Sequence, residues 1–426
     1  MLLPLNLKTV NVSQLAENLI GSEIIKIGNQ VNEMKAQGAD IANLTIGDLN
    51  SDLYPIPDYL KARIALAYQN NFTNYPPASG LKSLREAISK DLANRYALAY
   101  SEDDILVAGG SRPLIYAAFK TVVDPEDTVV YPVPSWNNNH YSYLSQAKKV
   151  EIQTSEQNFF LPTAQELKPH LKGATLLALC SPLNPTGTMF SKAQLEAICD
   201  LVVEENESRS PDQKPLYLLY DQIYALLTFE KTHFNPVSLN AKMQPYTIFI
   251  DGSSKSFAAT GLRVGWGFGP TEVISKMKAL LGHVGAWAPK PEQQAVGEFL
   301  NEREKVDQYI SHYKGRLNES LKALHQGIQD LKEKGFHTDS IEPMGALYLT
   351  VKFDYLGKKM PNGMPLETTS DLVYYLIEHA GVAFVPFSAF GTDTKMPWFR
   401  ASVGGLSLEQ IQGLFPRLEA ALSKLT

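Results

Sequence analysis

Cysteine is nearly absent from this chain of 426 residues, which has two, Cys180 and Cys199. Their spacing excludes a cysteine-based metal motif, no metal site is expected, and a reducing cytoplasm fits such sparse use. Cys180 closes the apolar run Leu176-Leu177-Ala178-Leu179 and reads as a buried thiol. Dense positive charge is missing as well. Lys and Arg total 39 against 45 Asp and Glu, a net charge of -6, which argues against a nucleic acid or an anionic membrane as partner. No apolar run approaches membrane-spanning length. The opening Met1-Leu2-Leu3-Pro4-Leu5-Asn6-Leu7 lacks the basic flank and sustained apolar core of an export signal, so a cytoplasmic location is expected. Internal repeats and low-complexity tracts are absent too.

What remains is a chain with 44% hydrophobic residues, long enough for two domains. Strand-length apolar runs alternate with helix-period segments, the pattern of an α/β protein with a mainly parallel central sheet flanked by helices. Leu81, Leu84, Ile88 and Leu92 mark an amphipathic helix leading to the strand Ile105-Leu106-Val107-Ala108. Ser191 and Gln194 form a capping box for a helix carrying Leu195, Ile198 and Val202. Residues 204–215 read as a polar loop before the buried strand Leu216–Tyr220. After about residue 300 the pattern changes to long charged helices, one with Tyr309 and Tyr313, then the strand Ala346–Val351. A helix from about Ser370 stops at Gly381 before the strand Val382–Val385, and residues 357–365 form an exposed connector. A smaller α+β domain is expected here. The expected boundaries are 1–52 for an N-terminal segment, 53–302 for a large α/β domain and 303–426 for the small domain.

The chemistry concentrates in Ser253-Ser254-Lys255-Ser256-Phe257-Ala258-Ala259-Thr260-Gly261-Leu262-Arg263-Val264-Gly265. Lys255 follows the strand Thr247–Ile250, where open α/β sheets bind ligands; singly, an exposed lysine is the lesser alternative. Asp221 closes another buried strand, where a carboxylate needs a cationic partner or serves as a cap. Asn184, in Ser181-Pro182-Leu183-Asn184-Pro185-Thr186-Gly187, is turn punctuation whose amide can also donate to a ligand oxygen, and Tyr224 can reach the same atom. Gly109-Gly110-Ser111-Arg112 precedes a helix and offers N–H groups to a phosphate, to which Arg263 adds a fork. Trp136 either stacks on a flat ligand or packs. Arg400, amid apolar neighbours, suits an amino-acid carboxylate or a structural salt bridge. Gly47 permits close substrate approach, and Tyr75 is an aromatic donor on a loop.

In order along the chain, from about Ile24 onward, these motifs resemble those of the class I and II aminotransferases, enzymes of the aspartate aminotransferase fold that use pyridoxal 5'-phosphate. Ser253 departs from the pattern, which usually has an apolar or aromatic residue there. The resemblance implies a fold type I transferase. It implies Lys255 as the Schiff-base lysine and proton shuttle, Asp221 on the ring nitrogen, and Asn184 and Tyr224 on the phenolic oxygen. It further implies Trp136 stacking on the ring, with Gly110, Ser111, Arg112 and Arg263 at the phosphate. Gly47, Asn184 and Arg400 would meet the substrate, Arg400 at its α-carboxylate. Tyr75 would cross to the neighbouring subunit's phosphate, which implies a homodimer, with the N-terminal segment adding dimer contacts.

The reaction implied moves the amino group of an L-amino acid, aspartate-like or aromatic/neutral, to a 2-oxo acid such as 2-oxoglutarate by ping-pong. Relatives selecting aspartate often carry a lysine where Ser111 stands, with glutamine at the position of Arg112, so Arg112 is either a replacement cation or a phosphate ligand. His140 lies one residue beyond the spacing at which relatives support the ring aspartate. Trp266 and Trp287 are candidates for an aromatic pocket. Carbon-sulfur lyases and aminocyclopropane carboxylate synthases share the fold and the lysine, and a sensor joined to a winged helix is a further alternative, for which a match beginning near Ile24 leaves no room.

Overall fold

The computed structural model describes residues 12–426 apart from 20 and 22; the opening Met1–Leu7 and residues 1–11 of the expected N-terminal segment lie outside the described residues. The strands in chain order are β1 (Ala42–Asn43), β2 (Ile105–Ala108), β3 (Thr128–Val133), β4 (Lys148–Gln153), β5 (Leu176–Cys180), β6 (Tyr217–Asp221), β7 (Thr247–Gly252) and β8 (Gly265–Phe268). There follow β9 (Thr338–Ser340), β10 (Tyr348–Phe353), β11 (Val382–Ala383), β12 (Val385–Pro386) and β13 (Trp398–Ser402).

Seven of them form one sheet in the order β2-β8-β7-β6-β5-β3-β4. Every pairing is parallel except those of β8, which runs against both β2 and β7. Apart from the polar edge strand β4, the strands are largely apolar on both faces because both are covered. Leu114, Ile115 and Phe119 of the helix Ser111–Val122 pack on one side. Leu84, Ile88 and Leu92 of the helix Lys82–Tyr96, with Val296 and Phe299 of Lys290–Asn301, pack on the other.

A second core gathers around the antiparallel sheet β12-β13-β10-β9 and the parallel pair β1-β11. The helix Arg303–Glu333 serves both cores: Val306 and Ile310 face the large sheet, and Leu317, Leu321, Leu324 and Ile328 the small one. The expected strand over Val382–Val385 is divided at Phe384, so that β11 pairs with β1 and β12 with β13. Gly381 ends the preceding helix at φ 62°, where its lack of a side chain permits the left-handed turn. Residues 204–208, expected as loop, continue the helix Lys192–Ser208. Their polarity marks a solvated helix face, stitched by Arg209 to Glu205 at 2.8 Å and by Asn206 Nδ2 donating to the Val202 carbonyl at 2.9 Å. Among the described residues no helix is long and apolar enough to cross a membrane.

Asp251, near the end of β7, lines a pocket of about 20 Å³ with Asp91, Tyr96, Ser256 and Trp266. Its carboxylate accepts from Gly252 N–H at 2.7 Å and Gln222 Nε2 at 3.1 Å. Burial pushes it up to about 7, against those two donors, with Asp221 and Asp91 adding repulsion. A carboxyl whose folded value lies above its unfolded value is most favourable at low pH, and its contribution is lost as pH rises through the folded value. Asp251→Asn is therefore expected to stabilise the protein more at pH 8 than at pH 5.5, by about 2 kcal/mol on a scale of about 1.4 kcal/mol per unit. Thermal melts at the two pH values check this, and equal effects at both would refute it.

Candidate active site

The carboxyl ends of the parallel strands open onto a cavity of about 660 Å³. Trp136 reaches it from beyond β3, Asn184 from beyond β5, Asp221 from the end of β6 and Lys255 from the single helical turn Ser253–Ser256 after β7. Ser111 and Arg112 enter at the N-terminus of the helix Ser111–Val122. Arg263 enters just ahead of β8, because that strand starts at this edge. From the second core come Gly47, Tyr348 and Arg400.

Lys255 Nζ donates to the Gly47 carbonyl at 2.6 Å. Burial lowers its ammonium to about 8; Asp48 opposes this, and Arg400, Arg112 and Arg263 reinforce it. Asp48 is held by Thr260 Oγ1, which donates to its carboxylate at 2.8 Å. Asp221 accepts from Ile223 N–H at 3.0 Å and makes no ion pair among the described residues, so burial raises it to about 6. An acid buried at a strand end without a cation fits a protonated ring nitrogen.

Arg400 is 2% exposed. It donates from Nη1 to Asn184 Oδ1 at 3.1 Å and from Nη2 to the Thr45 carbonyl at 2.5 Å, while its Nε has no partner. The guanidinium lies 4.7 Å from the Tyr348 ring centroid and 5.1 Å from that of Phe390. Among the described residues it meets no carboxylate, so the site is built to receive an anion.

Arg263 packs against the Gly109–Gly110 turn. Arg263 Nη2 donates to the Gly109 carbonyl at 2.9 Å, and a Cβ at Gly110 would run into its guanidinium. Gly110 therefore shapes the cradle without lining the cavity itself. Arg112 lies 4.8 Å from the Trp136 ring centroid and makes no ion pair among the described residues. An unpaired acid for a ring nitrogen, a glycine-rich helix N-terminus with an arginine for a phosphate, and a reactive lysine between them fit pyridoxal phosphate.

Some expected groups lie elsewhere. Tyr75 is 83% exposed, edge-on to Trp287 at 5.5 Å, and neither residue lines this cavity. Trp266 also faces away, into the pocket beside Asp251, because alternation along β8 sends it to the face packed by the helices Lys82–Tyr96 and Lys290–Asn301. His140 lines a shallow depression with Asn139, Tyr143 and Lys149. Its neighbour Tyr141 is buried instead; burial, with Asp221 as a lesser contributor, pushes that hydroxyl up to about 12. Cys180 is half-buried at the cavity wall, its Sγ 3.2 Å from the Pro182 carbonyl. Asn29 and Asn32, from the helix Glu23–Ala36, and Tyr348 also line the cavity; on sequence alone they read as ordinary helix and strand residues.

The family model for aminotransferase class I and II matches residues 39–418. The chain is 29% identical over 413 residues to an aspartate aminotransferase of Rhizobium meliloti (strain 1021), covering 95% of this chain and 94% of that one. It is 31% identical over 371 residues to an asparagine–oxo-acid transaminase of Streptococcus mutans, covering 85% and 88% respectively. The crystal structure of an aspartate aminotransferase from Rhizobium meliloti aligns with a TM-score of 0.89 at 26% identity, over 98% of this chain and 100% of that one.

Lys255 is lowered to about 8, so in the cofactor-free protein its labelling by an amine-selective reagent should rise through about pH 8, while exposed lysines follow at about pH 10.4. Mass spectrometry of the labelled peptides checks this; a Lys255 profile indistinguishable from that of surface lysines would overturn it.

Proposed function

The chain belongs to the class I and II aminotransferases, and we propose that it is a cytoplasmic, homodimeric transaminase holding pyridoxal 5'-phosphate in the cavity around Lys255. The observation that carries this reading is the presence in one cavity of an unpaired acid, Asp221, a depressed lysine, Lys255, and a buried arginine without an anion, Arg400.

Asp221 would hold the ring nitrogen, Asn184 and Tyr224 the phenolic oxygen, and Trp136 the ring face. Ser111, Arg112 and Arg263 would hold the phosphate at the Gly110 turn. The cofactor supplies an electron-withdrawing ring that stabilises negative charge at the substrate's α-carbon. Lys255 Nζ takes the α-proton and returns it, a role suited to an amine lowered to about 8. Arg400 orients the α-carboxylate and fixes which bond faces Lys255. Tyr75, exposed at the surface, is proposed to complete the partner's phosphate site.

The relatives named above are aspartate and asparagine transaminases, which supports an aspartate-like amino donor, with a 2-oxo acid such as 2-oxoglutarate as acceptor. The guanidinium of Arg112, over the Trp136 ring and without an ion pair among the described residues, would also suit a side-chain carboxylate. Both substrates use one cavity, so initial rates should give parallel double-reciprocal lines.

Lys255→Ala should lower transamination by at least about 10²–10⁴-fold, the span of positioned general acid–base catalysis, and abolish the borohydride-reducible adduct. Arg400→Gln should raise KM for the amino acid by about tenfold or more, with a smaller change in kcat. Steady-state kinetics and mass spectrometry after reduction check both; an intact adduct in the lysine variant would refute the assignment.

A further inference from the structure

Tyr348 was not among the expected site residues, yet it touches three groups that were. Its hydroxyl lies 2.8 Å from that of Tyr224, and the two rings meet edge-on at 5.7 Å. Its ring face carries the Arg400 guanidinium at 4.7 Å. Its oxygen also sits against Gly47, where a Cβ would come within 2.6 Å of it, and the Gly47 carbonyl accepts from Lys255. The residue comes from β10 of the small sheet, whereas Tyr224 and Lys255 belong to segments leaving the large one.

A phenol has one hydrogen to give and two lone pairs to receive. If Tyr224 spent its hydrogen on Tyr348, it could not donate into the cavity. Arg400 favours one order: its cation lies on the Tyr348 ring face and acts on that phenol more than on Tyr224, making Tyr348 the stronger donor. Among the described residues, the Tyr348 hydroxyl has no other hydrogen-bond partner.

We propose that Tyr348 is a positioning residue that donates its hydrogen to Tyr224, thereby freeing the Tyr224 hydrogen for the cofactor's phenolic oxygen and linking that bond to the anion site at Arg400. The proposal rests on the cofactor reading given above. Chained donors polarise one another, so Tyr224 donates more strongly when Tyr348 donates to it. An anion bound at Arg400 offsets part of the cation's field on the Tyr348 ring and so adjusts the same chain.

The test uses the holoenzyme, following the pH midpoint of the bound cofactor's absorbance change. A donor on the phenolic oxygen weakens its hold on the proton that it shares with the Lys255 nitrogen, so losing donor strength moves the midpoint up. Tyr348→Phe should raise it by about half a unit, and Tyr224→Phe by more. The double variant should match Tyr224→Phe alone, because the first acts through the second. In Tyr348→Phe the ring still faces Arg400, so kcat should fall several-fold with KM for the amino acid little changed. Gly47→Ala, which displaces the hydroxyl without deleting it, should shift the midpoint in the same direction and provides a second variant should the first fold poorly. An unshifted midpoint in Tyr348→Phe, or additive shifts in the double variant, would overturn the proposal while leaving the cofactor reading intact. A wild-type protein that takes up no cofactor would overturn both.

Discussion

Strands joined by helical crossovers run the same way and finish at the same edge of their sheet, so groups just beyond their ends are brought together without long loops having to find one another. Here that edge carries Asp221 at the end of β6, with Trp136, Asn184 and Lys255 beyond β3, β5 and β7. The one reversed strand completes the set. Because β8 is antiparallel to β2 and β7, it begins where they end, and Arg263 arrives beside the turn at Gly109. The remaining wall comes from the second core, where the pairing of β10 with β13 sets Tyr348 near Arg400. The helix Arg303–Glu333 packs against both cores and so fixes one wall relative to the other.

That dependence explains what could be read from the sequence. The sheet was legible because strands buried on both faces are nearly continuous apolar runs, and a polar residue at the end of such a run stands out. Asp221, Asn184 and Lys255 were found that way, and the structure brings them into one cavity. Tyr348 was not, because an aromatic within Ala346–Val351 looks like core until β13 lays a guanidinium on its face. Asp251 was missed for a similar reason: what makes it unusual is burial without a cation, and burial comes from the helix Lys82–Tyr96, far away in sequence. Single-residue offsets were the other source of error. His140 and Trp266 are each adjacent in sequence to a residue with the opposite facing, Tyr141 and Gly265, and periodicity without register cannot choose between neighbours.

The charges in the cavity carry the same logic into the chemistry. Were Lys255 and Asp221 an ion pair, each would favour the other's charged form, moving the lysine up and the aspartate down. The opposite is found: Lys255 falls to about 8 and Asp221 rises to about 6, each mainly through burial. Among the described residues they make no ion pair with each other, Lys255 donating to Gly47 and Asp221 accepting from Ile223, so each is available to a different partner. Lys255 also feels Arg400, Arg112 and Arg263 as repulsion, with Asp48 opposing them. An anion arriving at Arg400 cancels part of that repulsion and makes Lys255 more basic when a substrate carboxylate is in place. On the proposed roles, the group that would position the substrate would thereby also strengthen the base that would act on it.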